Sequence, residues 1–278
     1  MPFLSQLNKA ARILFCAFLI WLFIHLFLFQ ALHVPTASMR PTLLEGDYIL
    51  VNKTAYGPRL PITPLSLPFG GLKAFVDWIQ LPYLRIPGYA SVEKNDVIVF
   101  NLPTEADIPV DEKKLYVKRC VALPGETLRV DSGKVFIDGA LAEIKTQGSD
   151  SLLQKKEYYN PSFFPNNSSF KWNLDFFGPL VIPKKDERIQ LTVDNICLYQ
   201  SVIEKYENNQ VEIKNKLILI NGKEATSYVF KMNYYFVLGD NRHNSIDSRI
   251  WGFVPENHLV GRASIIIHSS RGNLLSVN

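Results

Sequence analysis

Three cysteines in 278 residues are too few to build a disulfide scaffold. Cys16 lies inside an apolar stretch, which leaves Cys120 and Cys197 as the remaining pair. Their spacing does not establish a bridge, and free thiols are the simpler reading. The five histidines, at positions 25, 33, 243, 258 and 268, show no metal-ligand spacing. There is no HExxH, no glycine-rich phosphate loop and no GxSxG elbow, so zinc, phosphate and α/β-hydrolase chemistry lack support. Nothing calls for a cofactor or a metal. The net charge is only +4, with acids and bases interspersed, and no basic stripe marks a nucleic-acid partner.

Long hydrophobic runs are equally scarce: there is one. Residues 13–32 carry one histidine and one glutamine among apolar residues, and no charge. As a helix, twenty residues at about 1.5 Å each reach roughly 30 Å, the thickness of a bilayer core. Lys9 and Arg12 precede the run and no charge follows before Arg40. The positive-inside rule then leaves residues 1–12 in the cytoplasm and everything after residue 33 outside. A cleavable signal peptide ending at Ala37 is the alternative, but its h-region would span about 7–15 residues, and this run is longer.

Beyond the anchor the chain reads as mostly β. Candidate strands are 47–53, 96–101, 115–122, 127–130, 134–138, 217–221, 234–238 and 259–268, several bounded by Gly, Pro, Asn or Asp. Asp138-Gly139 and Asn221-Gly222 each follow an apolar run, a hairpin cue. A catalytic β core is expected over 33–140 and 217–278. Two stretches interrupt the pattern. Residues 56–90 are dense in proline, which argues against a second membrane helix, and their Phe69, Phe75, Trp78 and Tyr83 suit a membrane-facing surface. Residues 141–216 are polar and asparagine-rich, and read as an inserted variable subdomain with a short helix near 195–206.

Three segments hold unusual side chains in rigid frames. In PTASMRPT, Pro35 and Pro41 restrict the backbone on either side of Ser38, as suits a nucleophile. In LYVKRCVALPGE, Lys118 sits on an apolar strand with Arg119 on the opposite face; if its face is buried, its pKa falls and it becomes a usable base. GDNRHNSIDSRIWG follows a strand and packs polar groups densely enough for a hydrogen-bond network. Each segment alone has a plainer reading: a turn-capping serine, a solvent-facing strand lysine, a polar loop.

Together, and in this order, PTASMRPT, GDYILVNK, KR…LPGE and GDNRHNSIDSR behind an anchor resemble the boxes of bacterial type I signal peptidases (leader peptidases), a Ser–Lys serine protease family. The resemblance implies a signal-peptidase-like β fold and an endopeptidase that removes signal peptides from exported preproteins. It makes Ser38 the nucleophile and Lys118 the general base, and gives Thr36 a place in the oxyanion hole. Ser245 would hydrogen-bond and orient Lys118, Asp247 and Arg249 would pair, and Asp240 and Asn241 would hold the loop. Met39 and Pro41 would shape the substrate groove. His243 stands where many relatives carry aspartate, so an ion pair made by that aspartate is in doubt. Implied partners are signal peptides, the lipid bilayer and a nearby secretion translocon. Two other readings stay open: an inactive membrane-tethered binding module, and a self-cleaving Ser–Lys protein of the SOS-repressor type.

Overall fold

The computed structural model describes residues 2–64, 79–105, 108–144 and 160–277. The apolar run forms α1 (Pro2–Phe23), continued by one π-helical turn, Ile24–Leu28. Within it Lys9–Leu28 is long and apolar enough to cross a membrane, and none of it is buried against the rest of the chain. The helix stops short of the expected 13–32 span. Residues Phe29–His33 leave it as strand β1 and pair antiparallel with β2 (Tyr48–Asn52). A strand ladder satisfies those amides where a helix would carry them past the sheet they complete.

The remaining elements follow in chain order: β3 (Val97–Asn101), β4 (Leu115–Ala122), β5 (Thr127–Asp131), β6 (Lys134–Ile137), β7 (Ala140–Leu141), β8 (Phe177–Val181) and β9 (Arg188–Gln190). Helix α2 (Ile196–Lys205) comes next, then β10 (Val211–Lys214), β11 (Leu217–Ile220), β12 (Lys223–Glu224), β13 (Ser227–Val229) and β14 (Tyr234–Leu238). The chain closes with α3 (Ser248–Trp251), β15 (Val254–Pro255), β16 (Leu259–Ser269) and β17 (Gly272–Ser276).

The main sheet runs β1-β2-β16-β3-β4-β14-β15, with β17 added to β16. A second sheet, β7-β6-β5-β8, drapes beside it. Both expected hairpins form: Asp138-Gly139 and Asn221-Gly222 turn with positive φ at each residue, the type I′ geometry that matches strand twist. Within 141–216, β8 joins the sheet of β5 to β7 and β9 pairs with β13, so this stretch shares sheets with strands on both sides of it. The helix near 195–206 is α2, which buries Ile196, Tyr199, Val202 and Ile203 on one face.

The described part of 56–90 is held to the sheet by two arginines. Arg59 donates to the Asn257 carbonyl and Asn101, and Arg85 to the Leu259 carbonyl at 2.6 Å. Within this arm Ile79, Leu81, Tyr83, Leu84, Ile86 and Tyr89 are exposed. Phe69, Phe75 and Trp78 lie outside the described residues. Under the main sheet, Val34, Met39, Leu43, Ile49, Val51 and Val99 form one apolar cluster, which brings the segment after β1 down onto the core.

Candidate active site

Where β1 ends, the Val34 N–H donates to the Asp47 carbonyl and the Gly46 N–H returns to the Val34 carbonyl. Thr36 stays extended, and Ala37–Met39 close a single 3-10 turn. Met39, only 1% exposed, fastens that turn to the core from below, while Pro41 is exposed and its carbonyl accepts from Arg271 at 3.0 Å. Ser38 is thus held at the edge of the sheet by an anchored neighbour. Its Oγ lies 3.2 Å from the Thr36 hydroxyl.

β4 carries Lys118 up to this turn. The strand pairs with β3 along Leu115 to Arg119, opposite Ile98 at Lys118. Only 3% of Lys118 is exposed, and Nζ donates to Ser38 Oγ at 2.7 Å and to the Val117 carbonyl at 2.9 Å. Burial pushes its pKa down to about 8, against the opposing pull of Asp247 and Asp240. About a tenth of the amine is then neutral at pH 7, where an ordinary lysine would be almost wholly charged.

The loop after β14 closes the site. Asp240 and Arg119, both fully buried, pair through Nε–Oδ1 at 2.8 Å and Nη2–Oδ2 at 2.6 Å. Thr42, on the chain just beyond Ser38, donates to the same carboxylate. The Asn241 N–H donates to the Ser38 carbonyl at 3.1 Å, and its side chain to the Ala37 carbonyl at 3.2 Å. Asp247 and Arg249 pair at 2.7 Å, and Arg249 also ties down the Arg242 and Leu174 carbonyls. Burial pushes the Asp247 carboxyl up, but Arg249 and the Gly239 amide outweigh it and hold its pKa below the usual range.

Ser38, Lys118, Thr36, Asp240, Asn241, Asp247 and Arg249 are therefore brought together as the sequence implied. One contact differs. Ser245 makes no hydrogen bond to Lys118, whose second bond goes to its own strand at Val117. The Ser245 Oγ is buried without a well-aligned partner, near enough to Asp247 to help stabilise that carboxylate. It sits over Gly239 instead, filling the space a Cβ there would take. His243 meets Asp175, buried in the chain before β8, at 2.9 Å. The sequence reading missed Arg119 as the partner of Asp240, and missed Thr42 and Asp175 altogether. Their opposite charge was the one cue for the first, with nothing in the chain to pair them across 121 residues, and nothing local marks the other two.

Residues 7–268 match the family model described as signal peptidase, peptidase S26. The chain belongs to the signal peptidase family. Signal peptidase I of Buchnera aphidicola from Acyrthosiphon pisum is 30% identical over 262 residues, covering 92% of this chain and 73% of that one. Signal peptidase I of the Buchnera from Baizongia pistaciae is 31% identical, covering 87% and 71%. That of Aquifex aeolicus is 29% identical, covering 93% and 83%. Gly239 is one of the points at which the closing loop touches the serine turn. A Cβ at Gly239 would fall 2.1 Å from Ser245 Oγ and 2.6 Å from the Ser38 carbonyl. Gly239→Ala should lower kcat about 100-fold while the fold persists, as misplacement by an ångström can. Peptide turnover beside a thermal melt checks this, and undiminished turnover contradicts it.

Proposed function

We propose that this protein is a membrane-bound serine endopeptidase that removes signal peptides from exported preproteins, with Ser38 as nucleophile and Lys118 as general base. The observation that carries the reading is the 2.7 Å contact between a buried lysine amine and a serine hydroxyl. An inert binding module has no use for a desolvated lysine held against a hydroxyl. Neutral Lys118 takes the Ser38 proton as Oγ attacks the scissile carbonyl, then returns it to the leaving amine. A water, activated by the same amine, hydrolyses the acyl-enzyme. Asp240 and Asp247 favour the ammonium that forms during attack.

The oxyanion is received by the Ser38 N–H, one of the first amides of a helical turn and so without a partner inside it, together with the Thr36 hydroxyl. Among the described residues the outer edge of β4 before Arg119 pairs with no strand. It offers a docking ladder to an extended substrate segment. A groove beside Ser38, with exposed Pro41 at its rim and Met39 supporting the turn from the core, would take small residues at the −3 and −1 positions and reject bulk by clash. Lys9 and Arg12 in the first turn of the span favour an N-terminus in the cytoplasm and a catalytic domain on the periplasmic side, beside lipid. Residues 141–216, set off by composition, are an insertion that shares sheets and core with the strands on either side of it.

Detergent-solubilised protein should cut a preprotein, and Ser38→Ala should abolish the cut. Because Lys118 must be neutral, kcat/KM should rise with pH through about 8 and level off above it. Lys118→Arg keeps the charge but cannot deprotonate, and should be as inactive as Lys118→Ala; near-normal turnover would remove Lys118 from the mechanism. Thr36→Val should lower kcat by about 10²–10³, with Thr36→Ser keeping most activity. A fully active valine variant would mean that backbone donors suffice. In spheroplasts, added protease should digest the chain beyond residue 33, and protection of that part would reverse the orientation.

A further inference from the structure

The C-terminal end of the membrane helix is gripped by one residue of β2's edge. Lys53 Nζ donates to the His25 carbonyl at 2.8 Å and to the Leu26 carbonyl at 3.5 Å. Its backbone N–H donates to the Leu28 carbonyl at 2.9 Å, and the Phe29 N–H closes back on the Ile24 carbonyl. Carbonyls at a helix C-terminus have no intrahelical donor, and at a membrane boundary water is not assured, so a cation there is well placed. Burial, with Arg59 nearby, pushes the Lys53 pKa down to about 8, which leaves the ammonium predominant at pH 7. The residue cannot drift. Its Cα abuts Gly261 of β16, where a Cβ would fall 3.0 Å from it, and the Asn52 side chain accepts from Thr54 and Ala55 just beyond.

From this clamp to the serine there is no slack. β1 is paired with β2 at every residue from Phe29 to His33, Val34 exchanges hydrogen bonds with Gly46 and Asp47, and the Ser38 carbonyl is held by Asn241. The stretch from Leu28 to Ser38 spans on the order of 30 Å of extended chain at most. A tether of that length joined loosely to its helix would let the catalytic domain tilt and rise over the bilayer. Clamped, it holds Ser38 at one height.

We propose that Lys53 is a positioning residue that locks the catalytic domain to the anchor, so that the enzyme selects preproteins by the distance from their embedded apolar segment to the scissile bond. This rests on the peptidase activity proposed above. The substrate's own apolar segment ends at the same boundary, so only a spacer matching the height of Ser38 brings the bond to the nucleophile. A spacer of another length must stretch or buckle, and the effective concentration of its scissile bond falls.

The test uses full-length protein reconstituted in vesicles of phosphatidylethanolamine and phosphatidylglycerol. Its substrates are membrane-embedded preproteins that share one cleavage site and differ in spacer length. A short soluble peptide with the same site reports on chemistry alone. Wild type should show a narrow spacer optimum. Lys53→Met should flatten it, lowering kcat/KM about tenfold at the optimal spacer while peptide turnover stays within about twofold. Lys53→Arg, which can still donate to the carbonyls, should restore most of the optimum. A Lys53→Met protein with an unchanged spacer profile overturns the proposal, and so does one that loses peptide turnover in parallel, since the residue would then serve only folding. If wild type cuts the soluble peptide but no embedded preprotein of any spacer, selection by height fails although the dyad works. If it cuts neither, the functional reading itself has failed, and that is seen before any Lys53 variant is made.

Discussion

The buried pair between Arg119 and Asp240 is the constraint on which the site depends. Two full charges out of water are costly, and their mutual attraction offsets that cost only when geometry and further hydrogen bonds are good. Here they are. The guanidinium meets the carboxylate through two nitrogens, donates to the Asn95 carbonyl, and shares Thr42 with its partner. Thr42 belongs to the serine turn, Arg119 to the strand of the lysine and Asp240 to the closing loop. One ion pair therefore ties together the three segments that meet at Ser38. Removing one partner would leave an uncompensated buried charge, at a cost of about 3–5 kcal/mol.

A second buried pair, Asp247 with Arg249, ties the closing loop to the Gly239 amide and to the Leu174 carbonyl, and engages the other carboxylate near Lys118. That engagement matters for the lysine. Its carboxylate neighbours pull its pKa up, but each is already engaged with an arginine, so desolvation decides the outcome and the amine falls to about 8. The same carboxylates are present when a proton arrives. A site that both lowers a lysine's pKa and tolerates its charged form needs this arrangement: acids close by, but neutralised.

His243 joins the closing loop to a segment far from it in the chain. Its imidazole turns to Asp175, an acid supplied from the chain before β8. The Leu174 carbonyl beside it receives Arg249, and the Phe164 N–H donates to the Arg249 carbonyl. Composition made 160–176 look like variable surface. In the fold it presses against the loop that closes on Ser38, and Gly252, at a φ of +88°, leaves room for the Phe164 ring.

Much of this was legible in the sequence because it is written in local periodicity and turn chemistry. The apolar run, the strands around Lys118 and 234–238, both Asx-Gly hairpins and the helix near 195–206 follow from residues adjacent in the chain. So did the list of residues at the site, through the ordered motifs. What needed tertiary structure was pairing. Whether Lys118 faced water or the core depended on which strands flanked β4. The end of the long apolar helix at Leu28 depended on β2 being free to take Phe29–His33. Arg119 found Asp240 across 121 residues, Ser245 settled over Gly239 rather than on the lysine, and Lys53 reached back to the helix end. Each is a choice among partners far apart in the chain. Only the folded sheet makes that choice, because burial removes water as the competing partner and leaves one set of groups within reach.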